Sequence, residues 1–124
     1  MISLDENIKD LLTQISESYD FLKERKDKPG DLDIIKFHQG KIHALIQVLC
    51  NKLEIIDSSS DTFSELLKFG KSYLQNYDFD KMIEAYQTYS DDIMRIKNLR
   101  ILILSSLEET KLIFKIQSAL QYLD

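Results

Sequence analysis

A chain of 124 residues with 44% hydrophobic and 30% charged side chains is sized for one domain with its own core, and its composition excludes a disordered chain. No run of about 18 apolar residues is present to span a bilayer. The net charge of −5 is shared evenly, since residues 1–60 hold 8 basic and 11 acidic side chains and residues 61–124 hold 8 and 10. Binding nucleic acid requires clustered cations that displace phosphate counterions, and no basic arm supplies them, so neither nucleic acid nor a membrane is the expected partner. The two basic clusters, Lys23 to Lys28 and Arg95 to Arg100, fit solvated faces, the first also offsetting the negative end of a helix. One cysteine cannot form an internal disulfide, and the first twenty residues lack a secretory leader's basic start and apolar run. A cytoplasmic location is expected. Cys50, inside the apolar run from Ile46, reads as a small buried hydrophobe.

Three glycines and one proline punctuate the whole chain, which predicts an all-α domain over residues 1–124. The first helix opens on the capping box Ser3-Leu4-Asp5-Glu6 and carries Leu4, Ile8, Leu12, Ile15, Tyr19 and Leu22 at alternating steps of four and three. Pro29-Gly30 ends it. Asp31 caps a second helix running to about Asp57, with Ile35, His38, Ile42, Leu45, Leu49, Leu53 and Ile56 on one side. Ile34, Ile46 and Val48 widen that face, placing Leu45 at the centre of a helix that touches two neighbours. Residues 57–61 form the clearest loop, and Thr62-Phe63-Ser64-Glu65 is a capping box for a third helix bearing Phe63, Leu66, Gly70, Tyr73 and Tyr77, ending near Asn76 to Asp78. A single helix over residues 79–123 would be about 68 Å long, against a radius of gyration near ~14 Å for such a chain. A break at Ser105-Ser106 is therefore expected, with a last helix bearing Leu112, Ile116, Ala119 and Leu123. Ile101 to Leu104 reads as buried helix. The expected architecture is four or five antiparallel helices around one core.

Residues 66–89 carry the most specific pattern. Gly70, Tyr73, Asp78, Phe79, Ile83 and Tyr86 stand at spacings that resemble one tetratricopeptide-type helical hairpin, covering 24 of 124 residues. In that family a small residue lets the first helix approach its partner, aromatics fill the groove, and an acidic-aromatic turn starts the second helix. Tyr77, Met82 and Tyr89 fall where the family prefers small residues, so this hairpin would pack more openly. No tandem copy precedes it, and an ordinary helix hairpin in a bundle is the other reading of the same residues. The resemblance implies peptide or protein binding through a concave helical surface.

Phe37-His38-Gln39-Gly40-Lys41 looks like the phosphotransfer helix of two-component relays, in which His38 would accept phosphate and Lys41 steady its charge. Ile42 stands where that family has glycine, and a partly buried histidine on an apolar stripe is the plainer reading. His38 and His43 lie about 140° apart around a helix, and His43 and Cys50 roughly 10 Å apart along it, so neither pair holds a metal. Asp91-Asp92, Glu108-Glu109 and Asp78-Phe79-Asp80 fit solvated helix starts. With no phosphate loop or nucleophile motif present, no cofactor is expected.

These observations favour a non-enzymatic domain that binds a peptide or protein partner through a helical groove, as an adaptor, chaperone, immunity or regulatory protein; a histidine phosphotransfer module using His38 is the alternative. Tyr73, Tyr77, Tyr86 and Tyr89 are the candidate anchors, because tyrosine offers rigid apolar area with a polar tip. A long, unbroken last helix would expose Ile93, Ile96, Ile103 and Leu107, and homodimerisation would be the simplest cover.

Overall fold

The periodic apolar stripes become six helices among the described residues of the computed structural model, which are 6–26, 28, 30–56, 60–77, 79–88 and 91–122. In chain order they are α1 (Glu6–Glu24), α2 (Leu32–Ile55), α3 (Asp61–Asn76), α4 (Phe79–Thr88), α5 (Asp92–Glu109) and α6 (Leu112–Tyr122). No strand occurs among these residues, so the all-α class stands, with one helix more than the sequence predicts.

On α1 the expected stripe is the buried one: Ile8, Leu12, Ile15, Tyr19 and Leu22 all face the core. Ser3, Leu4 and Asp5 of the capping box lie outside the described residues. Asp31 caps α2 as expected, its Oδ1 accepting from the Asp33 N–H at 2.8 Å. The centre of α2 requires a correction. Ile42, Ile46 and Leu49 are fully buried, whereas Leu45 is half-buried and Ile34 and Val48 face outward. The third helix starts at Asp61 behind Ser60, so its cap lies two residues before the Thr62 of the expected box.

Two breaks differ from expectation. Ser105 and Ser106 lie inside α5, where the Ser106 hydroxyl donates back to the Ile103 carbonyl at 2.8 Å and lets the helix continue. The chain turns instead at Lys111, which adopts a left-handed backbone (φ 64°) with its N–H donating to the Glu108 carbonyl. The other break falls before α5, where Asp91 caps the helix by accepting from the Ile93 N–H at 3.0 Å. Asp91-Asp92 is thus a helix start, as its composition suggests, while Glu108-Glu109 ends a helix.

These two breaks make α5 the hub. It packs against each of the other five helices, and among the described residues it is the helix that α4 packs on. A helix with neighbours all round cannot be strongly amphipathic, and α5 buries Ile96, Leu99, Arg100, Ile103, Leu104 and Leu107. Ile96, Ile103 and Leu107 are therefore covered within the chain, which removes them from the surface that homodimerisation was expected to cover; Ile93 remains exposed. Ion pairs stitch the helices at the surface: Lys23 to Glu108, Lys71 to Glu54 and Lys115 to Glu65. Tyr19 donates to the same Glu108 oxygen as Lys23, tying α1 to α5. No helix among the described residues is long and apolar enough to cross a membrane.

Candidate partner-binding cleft

The connection from α1 to α2 passes close to α5 because Gly30 carries no side chain. A Cβ at that position would stand 3.1 Å from Arg100 Nη2 and 3.3 Å from Ile96 Cγ2. Arg100 is 2% exposed, and its Nη2 donates to the Lys28 carbonyl at 2.7 Å, so a charged group inside the fold pins the connection to α5. Burying a guanidinium is costly unless it is hydrogen-bonded, which makes this contact a structural latch.

Around the latch lies a cleft of about 760 Å³, walled by Phe21 and Arg25 at the end of α1, Ile34 and Ile35 in the first turns of α2, and Ile93 and Ile96 in the first turns of α5. The Arg25 guanidinium lies 3.9 Å over the Phe21 ring. A neighbouring cleft of about 430 Å³ shares Gly30, Ile93, Ile96 and Arg100 and adds Lys26, Lys28 and Lys97. Exposed apolar side chains line the cleft, Ile93 at 67% exposure and Ile34 at 45%, and Phe37, one turn along α2 from Ile34, is 62% exposed beside it. The two basic clusters that look solvated in the sequence thus converge here, Lys28 meeting Arg100 across 72 residues.

The expected tyrosine surface is arranged differently. Tyr73 is 2% exposed and belongs to the core, so it offers no area to a partner. Tyr77 is half-buried; its ring lies 4.3 Å from the His43 ring and its hydroxyl accepts from Gln39 Nε2 at 2.7 Å. Burial pushes both phenols above their ordinary value, Tyr73 the further. The two rings and His43 therefore fill the seam between α2 and α3, and a smaller cleft of about 290 Å³ opens beside them, lined also by Met82, Leu102 and Ser106. Tyr89 and the Tyr86 side chain lie outside the described residues, as does Asp78. Gly70 faces Cys50 of α2, and a Cβ there would come 2.6 Å from its Sγ.

His38 is half-buried between α1 and α2. Its Nδ1 lies 3.2 Å from Ser18 Oγ, and its ring stacks on Phe21 at 4.5 Å with Phe37 edge-on. Burial first, then the Lys41 and Arg25 charges, lower its pKa from the ordinary imidazole value, so the ring is neutral at pH 7. A serine beside a histidine has the geometry of a nucleophile and its base, but Ser18 is 2% exposed and no substrate reaches it. Among the described residues no three His, Cys, Asp or Glu side chains gather as metal ligands. Cys50 is buried and its thiol is raised, chiefly by burial, which keeps it protonated and unreactive.

Set beside protein-family models, curated proteins and solved structures, the chain matches none of them.

Proposed function

We propose that this protein is a non-enzymatic cytoplasmic binding domain, acting as an adaptor, chaperone, immunity or regulatory factor, and that it holds a protein or peptide partner in the cleft around Gly30. One observation carries the reading: Ile34 and Ile93 stand exposed in a cleft also walled by Phe21, Ile35 and Ile96, with cationic side chains at its edge and Phe37 exposed one turn along α2. Apolar anchors at the centre of a patch with charges at its rim are the anatomy of a protein interface. The binding surface proposed here lies on α1, α2 and α5, away from the tyrosines of α3.

Affinity capture from the native lysate, read by quantitative mass spectrometry, tests this with Ile93→Asp as the comparison. Ile93 sits in the first turn of α5, where a carboxylate suits the helix dipole, so the variant keeps its fold. A partner held in the cleft is lost by at least about tenfold, which is about 1.4 kcal/mol. Undiminished capture places the interface elsewhere. The phosphotransfer alternative makes a separate forecast: acid-labile label on His38 after incubation with a phosphodonor, where the binding reading expects none.

A further inference from the structure

Resting on the reading of the Gly30 cleft as a partner site, we infer that its occupant is an acidic amphipathic helix of a partner protein. The chain as a whole is acidic, at −5, yet the two adjoining clefts are edged by Arg25, Lys26, Lys28 and Lys97, with Arg100 buried behind them, against the carboxylates of Asp31 and Asp92. Both of those exposed carboxylates have partners within the chain, as does Arg25, which lies 3.8 Å from Glu24, so the lysines carry the uncompensated charge. Asp31 caps α2 through the Asp33 N–H, and Asp92 pairs with Arg95 at 3.1 Å. The second cleft, with three lysines and no carboxylate in its lining, therefore presents positive charge to an incoming segment.

The apolar floor decides the shape of the occupant. Ile34, Ile93 and Ile96 come from helices whose backbone groups are satisfied internally, and no strand edge exists among the described residues for an extended peptide to join. An extended segment would bury its own amides without partners, whereas a helix satisfies its own and sets one apolar stripe on the floor, its acidic flank meeting the lysines. A polyanion such as nucleic acid fits less well, since its phosphates would lie over isoleucines and meet the repulsion of a net negative chain.

The test is a display library of random segments about 16 residues long, enough for ~24 Å of helix, selected on the whole protein and counter-selected on Ile93→Asp. The expected winners carry net negative charge and apolar residues at spacings of three and four, and bind at least about tenfold more weakly to Lys28→Glu/Lys97→Glu and in high salt. Circular dichroism confirms each variant's helicity, and Ile34→Asp serves as the counter-selection should Ile93→Asp lose it. Winners that depend on Ile93 but are neutral, basic or without helical spacing overturn this inference and leave the binding site standing. No Ile93-dependent winner overturns both. Sedimentation that reveals a dimer abolished by Ile93→Asp makes a second copy of this chain the occupant, and also overturns the inference.

Discussion

The tyrosine seam between α2 and α3 and the Gly30 cleft between α1, α2 and α5 both gather apolar area and use it in opposite ways. In the seam, aromatic area faces inward: Tyr73 is buried, Tyr77 packs on His43, and the polar tip of Tyr77 is taken by Gln39. In the cleft, apolar area faces outward at Ile34 and Ile93, with a buried arginine holding the walls from behind. An aromatic cluster in a sequence therefore marks either a core or an interface, and the two are separated by which neighbours satisfy its polar tips.

The largest expected contrast is in stability. Tyr73→Ala costs about 3 to 5 kcal/mol, because it removes a fully buried ring and leaves a cavity, while Ile93→Ala stays within about 0.5 kcal/mol. Urea unfolding of the two variants measures the difference, and equal losses would break the comparison. Next is the floor of the same seam. Gly70→Ala gains helix propensity but drives a methyl into the Cys50 sulfur, and overpacking of this kind costs about 1 to 3 kcal/mol. Adding Cys50→Ala returns most of that loss in a double-mutant cycle, which confirms where α2 meets α3. Tyr77→Phe, which removes only the hydroxyl that accepts from Gln39, is expected to cost about 1 kcal/mol and to leave partner capture unchanged.

The smallest effect is on pH dependence, with one histidine near each region. Burial lowers the pKa of His43, and burial with the Lys41 and Arg25 charges lowers that of His38, from the ordinary 6.5. The unfolded chain takes up protons first as the pH falls, so the contribution of each neutral ring is complete above 6.5 and is lost as the pH falls through the lower folded value. The urea midpoint should decline on acidification below pH 6.5, and His43→Gln should flatten that decline. A midpoint that rises over the same range would reverse the sign of this account.

Much of the fold was legible because local rules and tertiary packing agree. The α1 stripe repeats at three and four and is buried as written, and Asp31 caps where a short polar acceptor precedes an apolar run. The boundaries of α5 were hidden for physical reasons. Its exit turn uses a left-handed lysine where glycine is the usual signal, and of the two serines that look like a break Ser106 returns its hydrogen bond to the helix. The cleft was visible only in pieces. Both basic clusters and the width of the α2 face can be read from the chain, but their meeting depends on a contact between Lys28 and Arg100 and on Gly30 leaving room for it. Ile34, which seems to widen the core face of α2, is surface because α5 stops short of covering it.

At 14.5 kDa the protein is suited to amide chemical-shift mapping, and titrating the captured partner, or a segment of it, into the labelled chain tests the central claim most directly. The account predicts that the amides of Gly30, Leu32, Ile34, Ile93 and Ile96 move while those of Tyr73, Tyr77 and Leu102 hold still. Shifts confined to the tyrosine seam, with the Gly30 cleft silent, would contradict it.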